Sequence, residues 1–305
     1  MHRLASLVLM AVAGWFASAA MNSITLAGQS VGAPSGHVRL EIFADVTAVV
    51  PGQPFSVGVR CRIDPDWHIY WKNPGEAGLA TDLRVTAPPG FAVAAEAWPI
   101  PERFEQGPGI VGYGYTEEAV FLWRVTPPRT LRGVSRIRLI ADGRWLACRK
   151  LCVPGQGQAA LTLGVGTTSK PANGELFKAA RRRLPVPAGE PGTAARVRVE
   201  GSIPVSGSAG RFMVELFWSK PMARMEWFPG PAPTLEITDE GVETEFRTNR
   251  IRFSARRLAG QPLPAAPLEI LAVGVDPSGQ RIGVAVEVRL IPQPIKPESK
   301  GRVLD

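Results

Sequence analysis

Residues 37–50 read "HVRLEIFADVTAVV" and residues 55–63 read "FSVGVRCRI", with "PGQP" between them. In the first stretch Val38, Leu40 and Ile42 alternate with Arg39 and Glu41; in the second, Phe55, Val57, Val59, Cys61 and Ile63 all fall on one side of a two-residue period. Successive side chains of an extended strand point to opposite faces, so this spacing predicts two half-buried β-strands. Pro51-Gly52 supplies the turn between them, and Asp64-Pro65-Asp66 ends the second.

The pattern recurs outward from this pair. "WHIYWK", "TDLRVTA", "AVFLWRVT", "VSRIRLIADGRWLAC" and "QAALTLGV" follow, which makes about seven or eight strands before residue 166, the plan of a β-sandwich. A helix over 173–184, opened by Asn173 with Glu175 in its first turn, and the Pro/Gly-rich "PVPAGEPGTA" read as a connection. A second strand series then begins: "ARVRVEG", "RFMVELFW", "TLEIT", "VETEFRT", "RIRFSARRL", "LEILAVGV" and "RIGVAVEVRL". The 29 prolines and 32 glycines are spread along the chain as punctuation, and the fold class is all-β. At 45% hydrophobic residues the chain is able to bury a core. The expected organisation is a signal peptide at 1–20, one β-sandwich domain at 37–166, helix and linker at 167–194, a second β-sandwich domain at 195–292, and a mobile tail at 293–305.

Export is read from the first twenty residues. His2 and Arg3 precede the apolar run "LASLVLMAVAGWFASAA", which ends with Ala17 and Ala19 in the A-x-A arrangement of a signal-peptidase site. A retained anchor is the other reading, since the run approaches the length of a bilayer span. The net charge of +8 invites a nucleic-acid reading, but Lys and Arg are interspersed with acids. The one dense cluster, "KAARRRL" at 178–184, falls on the expected helix and reads as a solvated face, so no nucleic-acid partner is expected.

Cys148 and Cys152 lie in "WLACRKLCVPG", three residues apart, and outside the reducing cytoplasm such a pair is able to persist as a disulfide. On one extended strand their Cα atoms would stand about 13 Å apart, so a bridge demands a tight turn at "RKL", with Pro154-Gly155 as a further bend. So short a loop is a weak staple for the unfolded chain. As an exchanging pair it gains from Arg149 and Lys150, whose charge favours the thiolate. A small structural disulfide stays open as the alternative. A zinc site needs four ligands, and His37 and His68 are the only histidines after residue 20, so no metal or organic cofactor is expected. Cys61, on the apolar face of its strand, reads as a buried small hydrophobe; pairing with Cys148 or Cys152 is the sharper alternative.

"WHIYWKNPGEAGLATDLRVTAPPGF" (67–91), "WPIPERFEQGPGIVGYGYTEEAVFLWRVTPP" (98–128) and "WLACRKLCVPG" (145–155) together resemble the periplasmic N-terminal region of the DsbD-type thiol:disulfide interchange proteins, especially the branch associated with suppression of copper sensitivity. The likeness runs over about residues 38–165, and the second half resembles more loosely the β domain that follows in that branch. The resemblance implies an immunoglobulin-like sandwich whose Cys148/Cys152 pair takes electrons from a membrane domain and passes them to periplasmic thioredoxin-like partners. It also implies that Cys152 exchanges with the partner's disulfide and Cys148 resolves the mixed disulfide. Relatives continue into a membrane domain and a thioredoxin-like domain with a C-x-x-C motif. This sequence shows neither, so a separately encoded membrane electron-transfer protein is expected as donor. The alternative is a non-catalytic interaction or copper-tolerance module in which the bridge is structural.

Neighbouring motifs carry weaker signals. Trp67, Tyr70 and Trp71 read as core aromatics on a strand. Tyr113 and Tyr115, between glycines, read as a loop that has the option of covering the cysteine pair, and Glu117 and Glu118 as its solvating charges. His68 has the chemistry to assist proton transfer to a thiolate, though a lone histidine near a strand is more often structural. Met222 and Met225 would suit Cu(I) only weakly and read as packing residues.

Overall fold

The structure, a computed structural model, describes residues 29–31, 36–204 and 207–290; the expected signal peptide at 1–20 and tail at 293–305 lie outside the described residues. The described chain is almost all β. Its first part contributes β1 (Gln29–Val31), β2 (Val38–Ala44), β3 (Ala48–Val49), β4 (Phe55–Ile63), β5 (His68–Gly75), β6 (Asp82–Thr86), β7 (Ala92–Ala95), β8 (Glu102–Gly107), β9 (Ile110–Thr116), β10 (Glu118–Thr126), β11 (Arg136–Cys148) and β12 (Cys152–Val165). The helix α1 (Gly174–Arg182) follows. Then come β13 (Val186–Pro187), β14 (Ala195–Gly201), β15 (Ala209–Trp218), β16 (Arg224–Pro229), β17 (Leu235–Glu245), β18 (Thr248–Arg257), β19 (Leu268–Val275) and β20 (Arg281–Val288).

The first twelve strands build one sandwich. One sheet runs β2-β4-β10-β7; the other runs β1-β12-β11-β5-β9-β8, with β3 beside β12 and β6 beside β11. Alternation fills the space between them. Val57, Val59 and Cys61 of β4 and Phe121 and Trp123 of β10 meet Leu139, Ala141 and Ala147 of β11 and Leu161 and Leu163 of β12. The outward face of the first sheet is apolar too, because α1 covers it: Phe177 and Ala180 pack on Phe43, Val120 and Leu122. Gly58 makes room, since a Cβ there would stand 2.4 Å from the Phe43 ring. Asn173, at φ 52, opens the helix and donates from Nδ2 to the Ala44 carbonyl at 2.9 Å. Burying Phe177 in this way contributes about 1.5–3 kcal/mol, so the helix read as a connection is fastened to the first sandwich. Its basic cluster is partly spent on the same task, with Arg181 donating to Ser56 Oγ at 2.7 Å.

The second sandwich pairs β13-β20-β19-β16 with β14-β15-β18-β17. Phe212, Val214 and Leu216 of β15, with Ile251 and Phe253 beside them on β18, meet Ile270, Ala272, Val284 and Val286 of the other sheet. "TLEIT" and "VETEFRT", read as two strands, share the single bulged strand β17, whose register shifts between Asp239 and Gly241, and the end of the second, Phe246-Arg247, is the turn into β18. This edge strand carries Glu236 and Glu243 against Arg256 and Arg252 of β18, charges that discourage further strand addition.

The two sandwiches share a boundary. Phe228, Leu271 and Val273 from the second join the core of the first, and Phe228 meets Trp71 and Tyr113 edge-on at 6.1 and 5.2 Å. Polar contacts flank the rings. Lys72 Nζ lies 2.6 Å from Glu269, Asn73 Nδ2 donates to the Pro229 carbonyl at 2.8 Å, and Arg281 donates to the Pro101 carbonyl at 2.7 Å.

Candidate functional site

Cys148 ends β11, Cys152 opens β12, and the two form a disulfide with Cα atoms 4.1 Å apart. They are a directly facing pair of the antiparallel hairpin, where adjacent Cα atoms come closest. The turn is Arg149, Lys150 and Leu151, as the spacing predicts. Pro154-Gly155 makes no further bend: it lies inside β12, opposite Trp145 and Leu146. Proline is tolerated there because this stretch of β12 pairs with β11 alone, so its missing N–H interrupts no second ladder. Gly155 accepts the crossing of Gly36, whose Cβ would stand 2.7 Å from the Gly155 Cα. The indole N–H of Trp145 donates to the Gly36 carbonyl at 3.1 Å, so the hairpin is braced from beneath.

The sulfurs differ in access. Cys148 is 3% exposed, whereas Cys152 is exposed and follows Leu151, which is 79% exposed. Inward positions of β11 are Leu139, Ala141, Trp145 and Ala147, so Leu146 and Cys148 point to the outer face of the sheet. The register continues sideways. Cys148 faces Cys152 on one side and His68 of β5 on the other, and His68 faces Thr116 of β9. Facing residues of antiparallel strands share a side of the sheet with Cβ atoms about 4.5–5.5 Å apart, so His68 and Cys148 lie side by side on the outer face, while Nε2 of the imidazole is turned to Tyr70 and Gln106.

Around His68 the outer face is a small polar and aromatic cluster. The Phe104 ring lies 4.2 Å from the imidazole centroid. Gln106 donates to the Tyr70 hydroxyl, and its Nε2 lies 3.2 Å from Nε2 of His68, which is 3.4 Å from the Tyr70 hydroxyl. Glycines admit the rings. A Cβ on Gly112 would stand 2.5 Å from Phe104, and one on Gly78, at φ +107, would stand 2.3 Å from Tyr70. Burial lowers the His68 pKa, so the imidazole is neutral at pH 7, and burial raises that of Tyr70 against the pull of Gln106. On the other flank, Trp67 stacks on His37 at 3.6 Å, and the Arg149 guanidinium lies 5.5 Å over Trp67 and 3.9 Å from Asp66. Arg149, the residue after Cys148, thus spends its charge on Trp67 and Asp66 at the mouth of the hairpin.

Other expected residues lie elsewhere. Tyr113 and Tyr115 do not cover the cysteines. They belong to β9, Tyr113 against Phe228 and Tyr115 in the core with its hydroxyl donating to the Pro99 carbonyl at 2.8 Å. The glycine between them reads as loop but serves strand pairing, because a Cβ on Gly114 would stand 2.0 Å from the Ile69 carbonyl oxygen. Glu118 lies 3.6 Å from Arg60, and Glu117, at φ 55, turns the chain into β10. Cys61 is free and fully buried, and desolvation pushes its thiol up to about 12. Met222 packs against Gly274 in the second core. Among the described residues no three His, Cys, Asp or Glu side chains converge as metal ligands. A cleft of about 780 Å³ between the sandwiches, lined by Trp71, Trp98, Glu96 and Glu190, contains neither paired cysteine.

Phe104 and Gln106 were missed. Their two-residue spacing in "ERFEQG" is a strand signal, but the segment lies between Pro101 and Pro108-Gly109 and reads as loop.

Residues 40–164 match the family described as thiol:disulfide interchange protein DsbD, N-terminal. The N-terminal periplasmic domain of ScsB from Proteus mirabilis, a crystal structure, is 14% identical, with 88% of this chain and 100% of that chain covered at a TM-score of 0.57, a likeness of fold. A conserved domain protein from Bacillus anthracis is 11% identical, with 83% and 77% covered and a TM-score of 0.24. A search of curated proteins returned no match. Residues 40–164 thus resemble the DsbD N-terminal family of thiol:disulfide interchange proteins, and the described chain has an all-β, immunoglobulin-like sandwich fold.

Proposed function

We propose that this chain is an exported, periplasmic thiol-disulfide exchange protein that carries electrons between a membrane electron carrier and periplasmic thioredoxin-like or other substrate proteins. The carrying observation is the asymmetry of the disulfide: Cys152 is open to a partner and Cys148 is buried. Exchange is an in-line attack of a thiolate on a sulfur, so access selects the attacked atom. In loading, a donor thiolate attacks Cys152 Sγ, the Cys148–Cys152 bond breaks and Cys148 leaves with the electron pair. The donor's second thiolate then attacks its own sulfur in the mixed disulfide, leaving the protein as a dithiol and the donor oxidised. In delivery, the Cys152 thiolate attacks the acceptor disulfide and expels one acceptor thiolate. Cys148 attacks Cys152 Sγ, re-forms the bridge and expels the second. Each cycle moves two electrons, with two protons passing to the acceptor thiols.

Equilibration of the mature protein with thiol buffers, followed by trapping of free cysteines, tests this reading. The expected reduction potential lies above about −300 mV, in the range of exchanging pairs. Cys148→Ser is expected to accumulate a mixed disulfide with a thioredoxin-like protein and Cys152→Ser to accumulate none. A potential below about −300 mV without trapping would make the bridge a structural element of a binding module.

A further inference from the structure

We infer that His68 is the internal proton acceptor and donor of Cys148, taking the thiol proton when Cys148 resolves the mixed disulfide and returning it when Cys148 is expelled. This rests on the exchange reading above. Cys148 is 3% exposed, so bulk water and buffer have little access to its sulfur. The resolving step nevertheless needs a thiolate, and a buried thiol ionises reluctantly unless a base stands beside it. Of the two strand positions facing Cys148, one is its disulfide partner and the other is His68.

The surroundings suit that task. From β5 itself comes the Tyr70 hydroxyl, from β8 the uncharged Phe104 and Gln106, and from β9 Thr116. The charged groups beyond are Glu102, which accepts from the Thr116 hydroxyl at 2.8 Å, and Arg149, which is held near Asp66. They carry opposite signs. Burial lowers the His68 pKa, so the base form is present at and above neutral pH and is lost as pH falls through that lowered value. Nε2 is held by Gln106, while Nδ1 makes no hydrogen bond among the described residues. When a proton arrives, both nitrogens become donors, and a half-turn of the Gln106 amide presents its oxygen in place of its NH2. In the resolving step the proton moves from Cys148 to the imidazole, the Cys148 electron pair forms the new S–S bond, and the acceptor sulfur leaves with the old bonding pair. The imidazolium then releases its proton toward the expelled thiolate.

Reduced full-length protein mixed with glutathione disulfide separates the steps. Acid quenching and mass spectrometry follow first the Cys152–glutathione adduct and then its disappearance as Cys148 resolves it. His68→Gln is expected to slow resolution about tenfold or more at pH 7 and to make it rise about tenfold per pH unit, with adduct formation little changed. Resolution at the wild-type rate and pH profile would overturn the proposal while leaving exchange intact. Absence of any adduct in the wild type would overturn both readings. If the variant does not fold, the wild type decides: the resolution rate should show an inflection at the pH where the His68 imidazole resonances titrate by NMR, and a steady tenfold rise per unit through that pH would refute the assignment.

Discussion

Cys61 sits between Val59 and Ile63 on the inward face of β4, fully buried and facing Leu40 and Ala119 across its two neighbours in the sheet. Its chemistry is suppressed by its position. Desolvation raises its pKa from 9.0 to about 12, so at pH 8 it is a thiol in an apolar site while a reduced Cys152 is open to reagents. A folded-state value above the unfolded one contributes stability that is full below about pH 9 and is lost as pH rises toward 12. Cys61→Ala is therefore expected to leave the reduction potential unchanged and to flatten part of the stability loss between pH 9 and 12 in urea melts. An unchanged alkaline slope would show that Cys61 ionises as easily folded as unfolded.

At the scale of elements, the site depends on how closely β5 and β9 approach. The Gly114 Cα lies where any Cβ would meet the Ile69 carbonyl oxygen at 2.0 Å, opposite Tyr70 and two positions from the pairing of His68 with Thr116. Gly114→Ala must push these strands apart, at a cost of about 1–3 kcal/mol in the denaturation midpoint, and it should loosen His68 from Gln106. A variant with wild-type stability would mean that the pair has slack. The strands β2, β4 and β11 were legible from alternation because each turns one face to the first core, and β10 was legible as a short apolar run because it is buried on both faces, by that core and by α1. So was the tight turn at "RKL". The β8–β9 hairpin was not, because its glycines and prolines, which signal loops locally, answer to long-range demands: Gly112 admits Phe104 and Gly114 admits β5. His68 was visible as a residue but not as a neighbour of Cys148, since that pairing joins strands 80 positions apart and is set by the sheet order.

For the whole molecule, the boundary between sandwiches bears on the strands that carry the site. β5 holds His68 and Tyr70 at one end and gives Trp71, Lys72 and Asn73 to the second sandwich at the other; Pro101, just before β8, accepts from Arg281. Phe228 is the centre of this contact, with no exposed surface and two rings of the first sandwich edge-on to it. Its burial ties the stability of one half to the folding of the other. The wild type is expected to unfold in one cooperative transition, seen alike by tryptophan fluorescence and far-UV circular dichroism. Phe228→Ala should cost about 3–5 kcal/mol and split that transition in two, because it removes the ring that both cores share. Two transitions already present in the wild type would show that the sandwiches fold independently and that the contact is too weak to couple them. One transition that moves without splitting would locate the coupling in the flanking contacts of Lys72, Asn73 and Arg281, whose directional hydrogen bonds then hold the halves together without the ring.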